Sequence, residues 1–127
     1  MTVSKVSESI FEMFPDGVFP AACSSRVLLD HVTSKWGVLV LVSLTDGPQR
    51  WSELRRRAEG ISEKMLAQTL RTLESDGFVL RDAQPVIPPR VDYSLTERGR
   101  DLTERLLPLM GWIAENADDI VADARRD

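Results

Sequence analysis

The sequence predicts a mainly α-helical fold with one small β-hairpin (α+β). Three observations lead to this prediction. Residues 61–80 carry leucines at helical spacing, followed by a turn signal and an alternating stretch. Residues 84–90 hold three prolines between two short alternating segments, and a long amphipathic pattern covers 97–124. Helices should therefore dominate, with strands flanking the proline-rich loop.

Composition indicates one soluble globular domain. The chain has 127 residues, of which 43% are hydrophobic and 28% charged. No apolar run reaches the roughly 20 residues of a membrane-spanning helix, and no secretory signal is evident. The single cysteine fits a reducing cytoplasm. With one histidine as the only other soft ligand, no metal site and no cofactor are expected.

An amphipathic helix is expected first, over residues 3–14, and it should end at the turn signal Pro15-Asp16-Gly17. It would dock on its own core or on a second subunit. A second helix is expected over 24–33. Its predicted inward side chains are Val27, Leu28 and Val32.

Residues 35–44 are apolar on nearly every side, so periodicity alone does not separate a buried helix from a strand. A helix is favoured because Gly47-Pro48 ends the segment cleanly and helical segments flank it. After a short extended piece at 49–51, a helix capped by Ser52 should run to residue 58, with Leu54 and Trp51 pointing inward.

The central helix should start at Ser62, whose hydroxyl suits an N-cap, and stop at Gly77, which suits the left-handed C′ position. Leucines form its apolar face at Leu66, Leu70 and Leu73. The opposite face is polar and consists of Lys64, Gln68, Arg71, Thr72 and Ser75. Two short helices joined by a glycine turn are typical of a helix-turn-helix.

A hairpin should follow, with strands at 78–83 and 91–95 and a loop that its prolines stiffen. Such a hairpin behind a recognition helix is a wing. Thr96 should cap a final helix over 97–124, kinked at Pro108. This helix carries more apolar surface than a compact core can cover, so we expect it to mediate dimerisation.

The element order predicts a winged helix-turn-helix domain over residues 23–95, with helical dimerisation arms at 1–22 and 96–127. The net charge is −4, yet residues 50–71 carry six basic and three acidic side chains. Local positive potential of this kind steers phosphate contacts even on an acidic protein.

A series of short motifs runs through the chain in a fixed order. It comprises Cys23, Lys35-Trp36, Asp46-Gly47-Pro48, Trp51 to Arg56, Gly60 to Ser62, Lys64 to Leu66, Asp76-Gly77, Pro88 to Val91 and Tyr93 to Thr96. In order and spacing these motifs resemble the HxlR-type bacterial transcriptional regulators. The resemblance implies a homodimer that binds a palindromic DNA operator. We expect a repressor, with activation as the open alternative.

The N-terminal half of the recognition helix should enter the major groove. Gln68 is expected to pair with adenine, and Arg71 with guanine or phosphate. Ser62, Lys64 and Thr69 are expected to hold phosphates, with Thr72 on the same polar face.

Other arginines have two interpretations each. Arg55, Arg56 and Arg57 either contact the DNA backbone or form a solvated charged face. Arg90, on the wing, either reaches the minor groove or a phosphate, or is a plain hairpin charge.

Cys23 precedes a predicted helix, where the helix dipole and free N–H groups favour negative charge. The family resemblance implies sensing of oxidants or electrophiles at this position. Since there is no second cysteine, a disulfide would join two subunits or take a small thiol. The alternative is an inert, buried thiol. A small-molecule effector is a further alternative.

Two other functional classes compete with a DNA-binding regulator. The same fold could be a protein-interaction module without DNA binding, although the polar and basic residues of the recognition helix argue against it. An enzyme is not expected, because no nucleophile–base pair or glycine-rich phosphate loop is present in the sequence.

Overall fold

The computed structural model describes residue 10 and residues 12–126. In chain order the elements are α1 (Ser24–Val32), α2 (Lys35–Ser43), α3 (Trp51–Arg57), α4 (Glu63–Ser75), β1 (Val79–Gln84), β2 (Arg90–Leu95) and α5 (Glu97–Arg126). The prediction of a mainly α-helical chain with one hairpin is confirmed. The N-terminal helix expected over residues 3–14 lies largely outside the described residues. Within that range, Ile10, Glu12 and Met13 are described, and they are helical.

The described residues form two compact units, one ending at Thr33 and the other beginning at Ser34. In the first unit, α1 ends at Val32 and its C-cap is Thr33, whose hydroxyl donates to the carbonyl of Leu29 (2.6 Å). Val32 is buried, whereas Val27 and Leu28 are 54% and 41% exposed. The expectation that both point into a core is therefore wrong, because among the described residues both side chains stay open to solvent. The domain limits at residues 22 and 95 stay a prediction.

The second unit is built around α2, which packs against α3, α4 and α5. The segment is a helix, as expected, and the Ser34 hydroxyl caps it by accepting from the Gly37 N–H (3.1 Å). The centre of the core consists of fully buried aliphatic side chains, namely Val40, Leu41, Leu44, Leu54, Leu66, Leu73 and Val79. Helix α2 has apolar residues on nearly all sides, and the three helices packed against it cover several of these sides.

Helix α3 begins two residues earlier than the sequence indicated. Its N-cap is Arg50 rather than Ser52, because the Glu53 carboxylate accepts from the Arg50 N–H (3.0 Å). Trp51, now in the first turn, is only partly buried, while Leu54 is fully buried as expected.

The hairpin is antiparallel, in a register that pairs Val79 with Leu95 and Gln84 with Arg90. Gln49 adds an isolated antiparallel bridge on the outer side of β2. Its N–H donates to the Tyr93 carbonyl (2.9 Å), and its carbonyl accepts from the Tyr93 N–H (2.8 Å). The wing is therefore joined by backbone hydrogen bonds to the segment that leads into α3.

Helix α5 starts against the turn between α4 and β1. The Thr96 hydroxyl accepts from the Gly99 N–H (3.0 Å), as expected for a cap, and donates to the carbonyl of Gly77. Gly77 has φ +82°, the left-handed geometry predicted for it. Gly99 faces the backbone of Phe78 so closely that an added Cβ would overlap the Phe78 carbonyl oxygen.

Beyond this docking point α5 continues without interruption through Pro108 to Arg126. Leu106 is buried, but every residue from 107 to 126 is half-buried or exposed. Among the described residues, no helix combines the length and apolar character that crossing a membrane would need.

Replacing Gly99 with alanine should lower the free energy of unfolding by about 1–3 kcal/mol, the usual cost of overpacking a tight contact. Thermal or urea denaturation measures this. Gly111→Ala is the matched control in the same helix, because nothing lies within 4 Å of its added Cβ. That control should gain up to about 1 kcal/mol from helix propensity. Equal stability of the two variants would contradict the close approach.

Candidate nucleic-acid interface

The two faces of α4 separate as the sequence predicted. The Ser62 hydroxyl caps the helix by accepting from the Met65 N–H (3.0 Å). Leu66, Leu70 and Leu73 are at most 3% exposed. Because these leucines are held in the core, the residues on the opposite side of the helix must face outward.

The outward face presents Lys64, Gln68 and Arg71, which are all exposed. Within residues 12–126 these three side chains form neither an ion pair nor a hydrogen bond. Their donors and acceptors are therefore available to an external partner. A long basic or amide side chain on an exposed helix face can reach base edges in a major groove.

Two further residues proposed for this face are less accessible. Thr69 is only 9% exposed, because it follows Leu66 by three residues and turns toward the core side of α4. A phosphate would have little access to its hydroxyl, so we omit it from the proposed contacts. Thr72 is half-buried and can present only part of its side chain.

The three consecutive arginines of α3 are all exposed but differ in their surroundings. Arg55 pairs with Glu63 at the start of α4 (Nη1–Oε1 3.4 Å). Arg57 pairs with Asp46 (3.3 Å) and donates to the Ser43 carbonyl (3.2 Å). Arg56 forms no ion pair with any described residue. Of the three arginines, Arg56 is therefore the one whose positive charge no described carboxylate offsets.

An open groove of about 890 Å³ lies where α3 meets α4, and Arg55, Arg56 and Ser62 are among its lining residues. The Ser62 hydroxyl oxygen accepts the capping hydrogen bond, which leaves its O–H free to donate. This end of α4 also carries the positive end of the helix dipole. Glu59 and Glu63 also line the groove and offset the charge of its two arginines. The features that favour a phosphate here are therefore the helix N-terminus and the Ser62 O–H.

One face of the hairpin carries Gln84, Arg90 and Asp92 together. The Arg90 Nε lies 3.3 Å from Oδ2 of Asp92, and the Gln84 amide donates to the same oxygen (2.8 Å). At the tip, the side chain of Ile87 is fully exposed. Arg90 is thus not a plain, freely solvated hairpin charge, since a neighbouring carboxylate orients it.

Arg50 was not among the residues that the sequence singled out. Its Nε lies 4.0 Å from Oδ1 of Asp92, a residue 42 positions later in the chain. No local pattern indicates this proximity, because it arises from the bridge between Gln49 and Tyr93. The sequence offered two signals for Arg50, its place in the basic block of residues 50–71 and its position just after Gly47-Pro48, and neither indicates a contact with Asp92.

Cys23 lies in the first compact unit as the N-cap residue of α1. It is a free thiol of intermediate exposure, so the alternative of a fully buried thiol is not what the structure shows. Its backbone is held by a hydrogen bond from the Cys23 N–H to the Pro20 carbonyl (3.0 Å). The residue is therefore partly exposed in the single chain.

Lys35 is the first residue of α2 and is exposed. Its ammonium lies 4.4 Å from the ring centroid of Trp36. This distance is within the range of a cation–π contact. Trp36 itself is partly buried rather than fully enclosed in the core.

Comparison with known proteins agrees with this geometry. The model of the HxlR-like helix-turn-helix family matches residues 31–121. The HTH-type transcriptional regulator YtfH of Escherichia coli (strain K12) is 49% identical over 115 residues, which cover 90% of this chain and 91% of that protein.

Two solved structures are also similar. The transcriptional regulator YtfH from Salmonella typhimurium has a TM-score of 0.79 at 49% identity, covering 86% of this chain and 97% of that one. The redox regulator HypR in its oxidized form has a TM-score of 0.69 at 38% identity, covering 74% and 97% respectively.

Proposed function

This chain belongs to the HxlR-like helix-turn-helix family of transcriptional regulators, and we propose that it represses transcription by binding a palindromic operator as a homodimer. The observation that carries this proposal is the outward face of α4, where Lys64, Gln68 and Arg71 have no partner among the described residues. Gln68 and Arg71 read base edges, whereas Lys64 and Ser62 hold phosphates. The similar proteins are named as transcriptional regulators or a redox regulator, and none of them favours an interaction module without DNA binding.

The groove between α3 and α4 and the wing supply the remaining backbone contacts. Arg56 is the strongest candidate in α3, because Arg55 and Arg57 are already paired with carboxylates. Arg90 extends the contact to the flanking backbone from the wing. Since these contacts neutralise several phosphates, operator affinity should fall steeply with salt. Such a bacterial regulator acts in the cytoplasm, where the chromosome lies.

The apolar surface of α5 supports the homodimer. Leu109, Trp112, Ile113 and Ile120 are 44–57% exposed and recur at helical spacing on one side of the helix. A contiguous apolar stripe on a helix of about 45 Å is typical of an interface between subunits. A two-fold pair would present its two recognition helices to successive major grooves of one duplex.

We also propose that Cys23 makes the regulator responsive to oxidants. Two facts support this proposal: the accessible thiol at the start of α1 and the similarity to HypR, a redox regulator. Oxidation would couple two thiols with loss of two electrons to the oxidant, and the second thiol would come from the partner subunit or a small thiol.

Arg71→Ala should weaken binding to a duplex selected by the purified protein from a random-sequence pool, by about 1–3 kcal/mol in binding free energy. Fluorescence anisotropy measures the affinity. The thermal stability of the Arg71→Ala variant should equal that of the wild type, because Arg71 is exposed and unpaired within the described chain. Arg105→Ala is the control, since Arg105 pairs with Asp101 on α5 (2.6 Å). The selected sequences should contain an inverted repeat. Unchanged affinity of the Arg71 variant would remove this residue from the interface.

Ile113→Lys should convert the homodimer to monomer, because a charge in the apolar stripe of α5 cannot be buried without a partner. Light scattering coupled to size-exclusion chromatography gives the mass. Asp118→Lys places the same side chain on the opposite face of the helix and should leave the dimer intact. A dimeric Ile113 variant would rule out this stripe as the interface.

Diamide treatment should change the affinity of the wild-type protein for its selected duplex, and mass spectrometry should find Cys23 in a disulfide. Cys23→Ser should bind the same duplex with unchanged affinity before and after treatment. A serine variant that still responds to diamide would refute sensing at this thiol.

A further inference from the structure

Three polar side chains surround the Asp92 carboxylate on one face of the wing. The Arg90 Nε lies 3.4 Å from its Oδ1 and 3.3 Å from its Oδ2, the Gln84 amide donates to Oδ2 at 2.8 Å, and the Arg50 Nε lies 4.0 Å from Oδ1. Asp92 is only 15% exposed, whereas the side chains of Arg50 and Arg90 are 51% and 47% exposed. One half-hidden carboxylate thus pairs with Arg90 and lies within ion-pair distance of Arg50, and both guanidiniums remain open to solvent.

The backbone enforces this arrangement. Gln49, next to Arg50, exchanges two hydrogen bonds with Tyr93, next to Asp92. Gln49 is only 5% exposed, and Tyr93 is also buried. Neither residue can therefore shift freely. Arg50 is also the N-cap of α3. The side chain therefore starts from a fixed point beside the wing, although it belongs to the segment before the helix-turn-helix.

Both arginines approach Asp92 through Nε. Within the described chain, the terminal Nη atoms of Arg50 and Arg90 donate no hydrogen bond. These terminal nitrogens form the planar fork that binds phosphate oxygens. Arg90 alone balances the negative charge of Asp92, and the Gln84 amide already donates a hydrogen bond to it. The second guanidinium leaves the cluster of these four residues with a net positive charge.

We propose that Arg50 is a second DNA-backbone contact, which forms with Arg90 a paired phosphate site on one face of the wing. In this proposal Asp92 is the positioning residue that holds both guanidiniums. The inference rests on the proposed DNA binding and adds Arg50 and Asp92 to it. The location suits a backbone contact, because Arg50 stands between α3 and the wing, the two elements expected to flank the duplex.

The other charge on this face is Asp82, which lies directly opposite Asp92 in the hairpin register and is exposed. It repels phosphate but orients no guanidinium. Asp82→Asn therefore removes the same charge from the same face as Asp92→Asn and serves as its matched control.

The experiment measures duplex affinity over a series of salt concentrations by anisotropy, with the duplex selected from a random pool and with a scrambled duplex. Arg50→Ala and Arg90→Ala should each reduce the slope of log K against log salt by about 1 and weaken both duplexes alike, as expected for loss of one phosphate contact. Arg50→Lys should keep the slope, because the charge remains. Arg105→Ala, on α5, should change neither quantity.

For the positioning role, Asp82→Asn should bind DNA as tightly as the wild type or more tightly, because a negative charge is lost. Asp92→Asn should bind more weakly than Asp82→Asn, since its guanidiniums lose their anchor. Thermal denaturation of each variant confirms that it is folded. Should Asp92→Asn destabilise the hairpin, Asp92→Glu keeps the charge and should retain wild-type affinity and slope.

The outcomes separate this inference from the proposed function. If Arg50→Ala leaves affinity and slope unchanged while Arg71→Ala weakens binding, the paired phosphate site is wrong and the regulator stands. If Asp92→Asn and Asp82→Asn bind equally well, Asp92 positions nothing. If the wild-type protein prefers no duplex over the scrambled one, the proposed operator binding itself fails, and this inference fails with it.

Discussion

Burial of one side of α4 is the constraint on which the remaining architecture depends. Leu66, Leu70 and Leu73 are held in a core that α2 shares, and their removal from water supplies the driving force. Because a helix is rigid, fixing these three residues also fixes the direction of the polar side chains opposite. Lys64, Gln68 and Arg71 are thus presented outward by interactions in which they take no part. The cap at Ser62 then sets where this outward face begins.

The wing acquires its position in a similar way, through contacts made behind the functional surface. Strand β2 pairs with β1 on one side and with Gln49 on the other. The close approach of Gly99 to Phe78 and the hydrogen bonds of Thr96 place α5 against the α4–β1 turn. The hairpin is consequently held at both its strands, and Asp92 can orient arginines from two separate segments. A two-stranded hairpin alone would be only marginally stable in water.

Helix α5 has two parts with different roles. Its first turns are bound into the core through Thr103 and Leu106, which are buried. Its remaining turns leave Trp112, Ile113 and Ile120 open in the single chain. An isolated chain would expose this apolar stripe at a cost in free energy, which a second copy of the chain would remove. The same helix would then connect the folded core of one subunit to the other.

Sequence alone determined those features that depend on local pattern. The leucine spacing of α4, the Ser62 cap and the Gly77 stop each follow from helix geometry and backbone preferences. The apolar segment of α2 was a helix as predicted, although its composition also suited a strand. Local pattern was less reliable at α1, where Val27 and Leu28 are exposed, and at Thr69, which burial withdraws from the surface.

Only the tertiary structure decided which charges meet. Arg50 and Asp92 are far apart in the chain, and the Gln49–Tyr93 bridge brings them together. The same holds for Arg57 and Asp46, whose pairing leaves Arg56 as the available arginine of α3. Periodicity records which side of a helix or strand is apolar, because burial selects for it along the chain. Periodicity does not predict which side chains become neighbours in the folded chain, since that depends on how the helices and strands pack.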